Sequence, residues 1–577
     1  MRYNSELMNA SPTAWLPPQG FADTLPDEYA RAACLRERLG ALFASRGYAG
    51  IGTPLIESRT LFQSGPGYMP ESQQWKTYAP DGSILVVRPD NTTPAVRLAC
   101  TRLSHLPPPI RLHYIQTALR YPPAGGRSGG VELRQAGVEM LGDYAPEADA
   151  EVVALAIEAL RSSGLEDFQI DVGQVGFFKG LMEEAGLADA DAERMRALVE
   201  AKNSLGITLA LRDAALPSET ERSRIAARLQ TLPTLFGGIE ALDDARRMSD
   251  HPRCRAALDN LSAVYALLDR RGLSRYLSID LGMVHAINYY TGIVFRGLTG
   301  RLGQPLLSGG RYDDLPAAMG RPMGAVGFGI ELDQLLTALS REYPEKGFDP
   351  VLTLAVAKGR LALDTFARLE AAGFDCGQAR NPGRRLIVDA GFIGRLDGGA
   401  SGSDETAAPY PGGHIRLMLV KPCDVPTYVD LGAADAGVVG KDTLMEENRP
   451  LYELLDMGTG RCRLCVAGGG DIDRDAPRAA PYRVATKYPN IAREFFASRG
   501  QPIQIIALGG SVELAPLVGL SDVILDVVES GGTLKANGLS ALEEICQISA
   551  RLVVNRVSLK TKTAAVRALV KALEAKE

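Results

Sequence analysis

The chain has 577 residues, enough for several domains of ordinary size. With 46% hydrophobic and 23% charged residues it has the composition of a folded, soluble protein, which excludes a disordered chain. A formal net charge of -6 gives no large nucleic-acid footprint, no signal-peptide pattern opens the chain, and no apolar run is long enough to span a bilayer. The expectation is a cytoplasmic protein with neither nucleic acid nor membrane as partner. The eight cysteines are scattered and read as reduced thiols. Cys462 and Cys465 form a C-x-x-C, but inside a strand-like run whose alternation sends them to opposite faces, and no second pair or paired histidines complete a zinc site.

In chain order, residues 1 to 15 are polar and irregular. Pro17 to Asp23 then leads into a helical pattern from Pro26 to Arg46, with Leu35, Leu39 and Leu42 on one face. Leu55-Ile56-Glu57 opens a sheet, and residues 150 to 275 carry the Ala/Leu/Glu/Arg spacing of a helical region. Residues 343 to 350, with charge, glycine and two prolines, read as a linker between a domain at 1–342 and another at 351–577. A fresh α/β pattern starts at Leu352, and its strand ends in Lys358-Gly359-Arg360, at the sheet edge where α/β proteins bind ligands. Two glycine-rich segments, 398–414 and 468–475, read as surface loops.

Near the end, Val523-Ile-Leu-Asp526 reads as a buried strand running into Glu529-Ser530-Gly531-Gly532-Thr533, with a helix starting over Leu534 to Asn537. Glycine amides approach a phosphate closely, a helix N-terminus favours its charge, and Thr533 adds a hydroxyl donor. Asp526 and Glu529 add acceptors for ribose hydroxyls or Mg²⁺.

Further stretches carry family resemblances. Val87-Arg-Pro-Asp-Asn-Thr-Thr-Pro94, Leu119-Arg-Tyr121 through Gln135-Ala-Gly-Val-Glu139, Asn288-Tyr-Tyr-Thr-Gly292, Gly309-Gly-Arg-Tyr-Asp313 and Ala325-Val-Gly-Phe-Gly-Ile-Glu331 resemble, in order, the catalytic core of histidyl-tRNA synthetase over roughly residues 15 to 342. The resemblance implies an α+β class II synthetase-like fold, an antiparallel sheet flanked by helices. It also implies a histidine pocket: Asp90 and Glu139 at the ammonium, Thr92 and Gln135 beside them, Arg120 at the carboxylate, Tyr289 and Tyr290 around the imidazole, with His285 nearby. The synthetase chemistry departs from the pattern. His285-Ala-Ile-Asn288 stands where the family has Arg-Gly-Leu-Asp, Pro122-Pro123 follows Tyr121, and Gln334 stands where an arginine stacks on adenine. Each loss removes positive charge from a site that must stabilise phosphoryl transfer. A kept pocket with lost chemistry reads as a histidine sensor.

From 350 onward the chain resembles short-form ATP phosphoribosyltransferase. The pieces are Lys358-Gly-Arg-Leu361, Asp424-Val-Pro-Thr-Tyr-Val429, Gly440-Lys-Asp442, Ala485-Thr-Lys-Tyr-Pro-Asn490, Gly510-Ser-Val-Glu-Leu-Ala-Pro516 and the 526–538 loop, which resembles the phosphoribosyl-pyrophosphate (PRPP) loop. The resemblance implies a bilobal α/β fold of periplasmic-binding-protein-like architecture, with chain crossings near 440 and 530. It implies ATP and PRPP as substrates and Mg²⁺ as cofactor, with Lys358, Arg360, Arg384, Arg385, Lys421 and Lys487 on the polyphosphates. Asp526, Glu529, Ser530, Gly531, Gly532 and Thr533 would hold PRPP. Lys421-Pro-Cys423-Asp424 departs from a family Arg-Pro-Arg-Asp; a cation survives at Lys421, but a bidentate arginine contact is lost if one acts there in the family. Together the halves read as a catalytic subunit fused behind its regulatory subunit, working as a homo-oligomer (dimer or tetramer) with histidine as feedback effector. The competing readings are a working histidyl-tRNA synthetase with a fused partner, and a ligand-binding scaffold with a degenerate transferase half.

Overall fold

The computed structural model describes residues 17–574 except 19, 64, 122–130, 201–205, 208–209, 212–224, 226, 285–288, 341–351, 393–413 and 470–480. The linker 343–350, almost all of the 398–414 loop and most of the 468–475 loop therefore fall outside the described residues. By its own contacts the chain divides into two units, Met1–Glu342 and Tyr343–Glu577.

The first unit is built on a nine-stranded sheet among the described residues. Its centre is antiparallel, in the order Ile110–Leu119, Glu132–Leu141, Ala325–Glu331, Leu307–Arg311, Ile293–Leu298 and Gln169–Gln174. Strand alternation assigns the two faces. On Glu132–Leu141, Ala136, Val138 and Met140 join the main core with Val326, Phe328 and Ile330 of the neighbouring strand. Gln135, Gly137 and Glu139 point the other way. Helices Pro26–Ser45 and Pro146–Ser162 cover the core face.

The first helix starts at a proline, which needs no N–H partner there, and carries Asp27 and Glu28 in its first turn. Its buried stripe is Ala32, Leu35, Leu39 and Phe43, whereas Leu42 is only half-buried. The expected stripe thus turns by one residue at its end, so that the larger aromatic packs edge-on against Phe328, ring centroids 6.0 Å apart. The region read as helical contains a strand, Gln169–Gln174, which pairs with Ile293–Leu298 and is buried almost throughout. Strands of this kind, buried on both faces, lack the alternation that marks a half-exposed one.

The second unit holds two sheets with separate cores, hence two lobes. In the first, Leu352–Ala357 lies between Ile415-containing His414–Val420 and Ala436–Gly440, all parallel, so their C-terminal ends share one edge. In the second, Tyr482–Thr486 and Val523–Val528 are parallel neighbours, with Cys462–Gly469 antiparallel beside them. Cys462 and Cys465 do lie on one strand. The chain passes between lobes at 457–461 and returns at Ser549, rather than near 440 and 530. The shift arises because Tyr452–Asp456 still adds to the first sheet and Leu539–Ile548 still belongs to the second.

Candidate functional site

In the first unit, the non-core face of the sheet carries a cavity of about 270 Å³. Asp90, Thr92, Arg120, Gln135, Tyr289 and Tyr290 line it together, with Met69, Ser308, Tyr312 and Glu331 among the further wall residues. Asp90 precedes the helix Thr92–Cys100 and accepts from the Thr93 amide at 2.7 Å and its hydroxyl at 3.2 Å. Desolvation in this enclosure raises its carboxyl above the ordinary range, against the pull of those hydrogen bonds and of Arg120. Gln135 is oriented by Asn91, whose amide donates to its oxygen at 3.0 Å. Tyr289 stands edge-on to Tyr290 at 5.1 Å and tilted against Tyr312 at 5.2 Å.

Glu139 was expected at an ammonium, but it is fully buried behind the wall. It is engaged by two phenols, Tyr114 donating at 3.1 Å and Tyr312 closer still. Desolvation raises its carboxyl to about 8, with Tyr312, Thr92 and Tyr114 opposing. Burial and the same acid push the Tyr114 and Tyr312 hydroxyls far up, so they remain donors. His285 lies outside the described residues.

The room for these side chains comes from glycines on adjoining strands. A Cβ on Gly137 would stand 2.5 Å from the Tyr114 hydroxyl, and one on Gly310 would stand 2.6 Å from the Tyr290 ring. Gly327 and Gly329 clear Glu139 and Gln135 in the same way. Arg311, between them in the fold, pins its strand to the helix Pro146–Ser162 through a buried pair with Asp149 at 2.8 Å.

In the second unit, topology gathers the expected cations. Lys358 follows Leu352–Ala357, and its amide donates to Val420 at 3.0 Å, next to Lys421. Strand Ile387–Gly391, with Ile387 opposite Met418, carries Arg384 and Arg385 to the same end. Arg385 reaches Gln378 at 3.4 Å. In the other lobe, the parallel pair Tyr482–Thr486 and Val523–Val528 brings Lys487 beside the 529–533 loop. Gly531 takes φ +75°, which only glycine adopts at little cost, and the following helix begins at Gly532 rather than Leu534. Ser530 accepts from the Gly532 amide at 3.4 Å, so one loop amide already has a partner.

Asp526 is drawn up mainly by desolvation, aided by Glu513 and Asp442 and opposed by the Val527 amide and Lys487. Arg360 pairs with Glu529 across the lobes at 3.0 Å. Both side chains are largely exposed, at 85% and 58%, so the pair is weak and free to exchange for ligands. Asp442 and Tyr488 lie within the quoted motifs without a role assigned there, and Glu446 lies outside them; all three stand near this cleft. Tyr488 donates to Asp442 at 2.7 Å, again between lobes.

The comparisons with known proteins follow this division. A family model described as histidyl-tRNA synthetase matches residues 20–335, and one described as ATP phosphoribosyltransferase matches 421–575. An ATP phosphoribosyltransferase of Alkaliphilus metalliredigens is 48% identical over 221 residues, 38% of this chain and 95% of that protein. The chain belongs to the ATP phosphoribosyltransferase family. Its N-terminal half is 40% identical to an ATP phosphoribosyltransferase regulatory subunit of Acetivibrio thermocellus over 328 residues, 57% of this chain and 77% of that one. A solved Bacillus halodurans structure, described as an ATP phosphoribosyltransferase regulatory subunit/histidyl-tRNA synthetase, superposes with TM-score 0.53 at 29% identity, over 71% of this chain and 100% of that one. Catalytic-type and regulatory-type sequences of the ATP phosphoribosyltransferases thus occupy one polypeptide, as the motifs implied.

Proposed function

We propose that this transferase makes N1-phosphoribosyl-ATP and pyrophosphate from ATP and PRPP, the first step of histidine biosynthesis, and that histidine in the N-terminal cavity lowers its rate. The observation that carries the regulatory half is the cavity itself: an acid, an arginine and two tyrosine rings around a space of about 270 Å³. That set suits a small amino acid, with Asp90 on the ammonium, Arg120 on the carboxylate and Tyr289 and Tyr290 against the imidazole.

In the transferase reaction the bond from C1 of the ribose to the pyrophosphate oxygen breaks, and one from C1 to N1 of adenine forms. Adenine N1 already has a free lone pair, so the protein's task is to hold the reactants and stabilise the leaving group. Lys358, Arg360, Arg384, Arg385, Lys421 and Lys487 are the cations for the polyphosphates. Ser530 to Thr533 take the 5′-phosphate, and Asp526 and Glu529 the ribose hydroxyls. Mg²⁺, when bound, neutralises the departing diphosphate. Among the described residues no three or more His, Cys, Asp or Glu side chains form a cage for it. Asp526 and Glu529 are hard oxygen donors suited to a Mg²⁺ held chiefly by substrate oxygens.

No helix among the described residues is long and apolar enough to cross a membrane, which accords with a cytoplasmic setting. We take the working form to be a homo-oligomer. The test is phosphoribosyl-ATP formation by the purified chain with ATP, PRPP and Mg²⁺, titrated with histidine. Activity that falls as histidine rises is expected. Activity indifferent to histidine sinks the regulatory half of the proposal.

A further inference from the structure

Strand Tyr482–Thr486 ends in a turn, Lys487-Tyr488, before the helix Pro489–Ser498. The turn is tied within its own lobe by Thr486, whose hydroxyl donates to Leu525 at 2.7 Å and accepts from the Tyr488 amide at 2.8 Å. A second set of ties comes from the other lobe. Helix Lys441–Glu447 follows the first-lobe strand Ala436–Gly440, and Asp442 and Glu446, four residues apart, share one of its faces. Asp442 accepts from the Tyr488 hydroxyl at 2.7 Å. Glu446 accepts from the Asn490 amide at 3.0 Å and the Ile491 amide at 3.1 Å, the first N–H groups of the helix once Pro489 is passed. The Asn490 side chain donates back to the Glu446 carbonyl at 3.0 Å.

These ties bracket Lys487, at Thr486 before it and at Tyr488, Asn490 and Ile491 after it. Its ammonium stands 5.2 Å from the centre of the Tyr488 ring, and its charge acts on Asp526. Lysine is a point charge on a flexible stem, so the ring beneath it decides where that charge is spent. The ring is in turn fixed at its far end by Asp442.

We propose that Asp442 and Glu446 are positioning residues of the transferase, gripping the Lys487–Ile491 turn from across the cleft and setting where the Lys487 ammonium meets the polyphosphate of the reacting substrates. The inference rests on the reading that Lys487 serves the polyphosphate. It adds that the charge reaches its place only while the first lobe holds the turn, so lobe closure and catalytic alignment are one event.

The experiment is a double-mutant cycle on the full chain, joining Lys487→Ala with Tyr488→Phe and, separately, with Glu446→Gln. Initial rates give kcat and KM for each substrate, and thermal melts confirm folding. Tyr488→Phe keeps the ring and removes only the hydroxyl tie; Glu446→Gln keeps one acceptor. Lys487→Ala is expected to lower kcat by about tenfold or more, as removal of a charge on the developing anion does. Tyr488→Phe and Glu446→Gln are each expected to lower kcat by about fivefold with smaller changes in KM, the size of one lost hydrogen bond. Neither is expected to have a further effect in the Lys487→Ala background. If Lys487→Ala leaves the rate intact, the reading of Lys487 fails and the inference with it. If Lys487→Ala lowers the rate while the other two are silent, or simply multiply with it, Lys487 stands and the positioning role is overturned.

Discussion

The two binding regions solve opposite problems. In the N-terminal cavity the recognition groups are enclosed and already partnered, Asp90 by Thr93 and Gln135 by Asn91, with Glu139 held behind the wall by two tyrosines. In the C-terminal cleft Lys358, Arg360, Arg384, Arg385, Lys421 and Lys487 are exposed, and the Arg360–Glu529 pair is exposed as well. An enclosed, pre-ordered site holds one ligand tightly and discriminates by leaving buried polar groups unmatched when the ligand is wrong. An open set of cations binds ligands of high charge, releases them, and orders fully only as the lobes come together. The proposed sensing role needs the first design, turnover the second.

The sharpest way to break the comparison is at the enclosed charges. Arg120→Ala or Asp90→Asn is expected to raise the histidine concentration for half-inhibition by about a hundredfold, since losing one partner of a desolvated charge pair costs about 2–5 kcal/mol. Calorimetric titration of histidine checks it; a change within threefold would mean that the ligand does not sit among these residues.

Next comes the pH dependence of the same wall. The Glu139 carboxyl is held at about 8 in the folded chain against an ordinary 4.5. As pH rises through the ordinary value the unfolded chain ionises while the folded one stays neutral, so stability is lost progressively up to the folded value, on the order of a few kcal/mol in total. Asp149, raised to about 6 by desolvation, contributes only to the lower part of that range. Melting of the Glu139→Gln chain should therefore lose its downward slope between about pH 6 and pH 8. An unchanged slope there would assign the loss to another group.

The smallest effect separates the regions by solvent exposure. Raising ionic strength from about 0.05 to about 0.5 M shortens the Debye length from about 14 to about 4 Å, so the KM for PRPP should rise severalfold while histidine affinity moves by no more than about twofold. Equal shifts in both would show the cavity to be as open to ions as the cleft.

Much of this was legible in the sequence where residues act through type and spacing. The 523–528 strand and its glycine turn and the Lys358-Gly359-Arg360 edge needed only alternation and turn chemistry, whereas six of the cavity residues were named through the resemblance to histidyl-tRNA synthetase. What escaped depended on partners far apart in the chain. Tyr114 sits on a strand as an ordinary aromatic until the register sets it beside Gly137, opposite Glu139's neighbour. Tyr312 was visible within Gly309–Asp313 but gained a role only when Glu139 proved to be buried behind it. Glu446 lies on a short charged helix that reads as a solvated face, and nothing local says that it caps a helix of the other lobe. The strand Gln169–Gln174 was masked by its burial, which erases periodicity, and by helices on either side.

The glycines around the cavity carry a consequence for inheritance. Each of Gly137, Gly310, Gly327 and Gly329 yields its space to a neighbouring side chain: Tyr114, Tyr290, Glu139 and Gln135 in turn. The ligand's room is thus written in the gene as pairs, an absence at one position and a presence at its neighbour. On the proposed histidine reading, a lineage can lose feedback through the Gly137 or Gly310 codon without touching a residue that lines the cavity, so the mutational target for escape is wider than the contact surface. Regaining it is narrower, because a side chain acquired at such a position must leave before its partner can return. Across descendants of this fusion, the members of each pair should therefore change together or not at all.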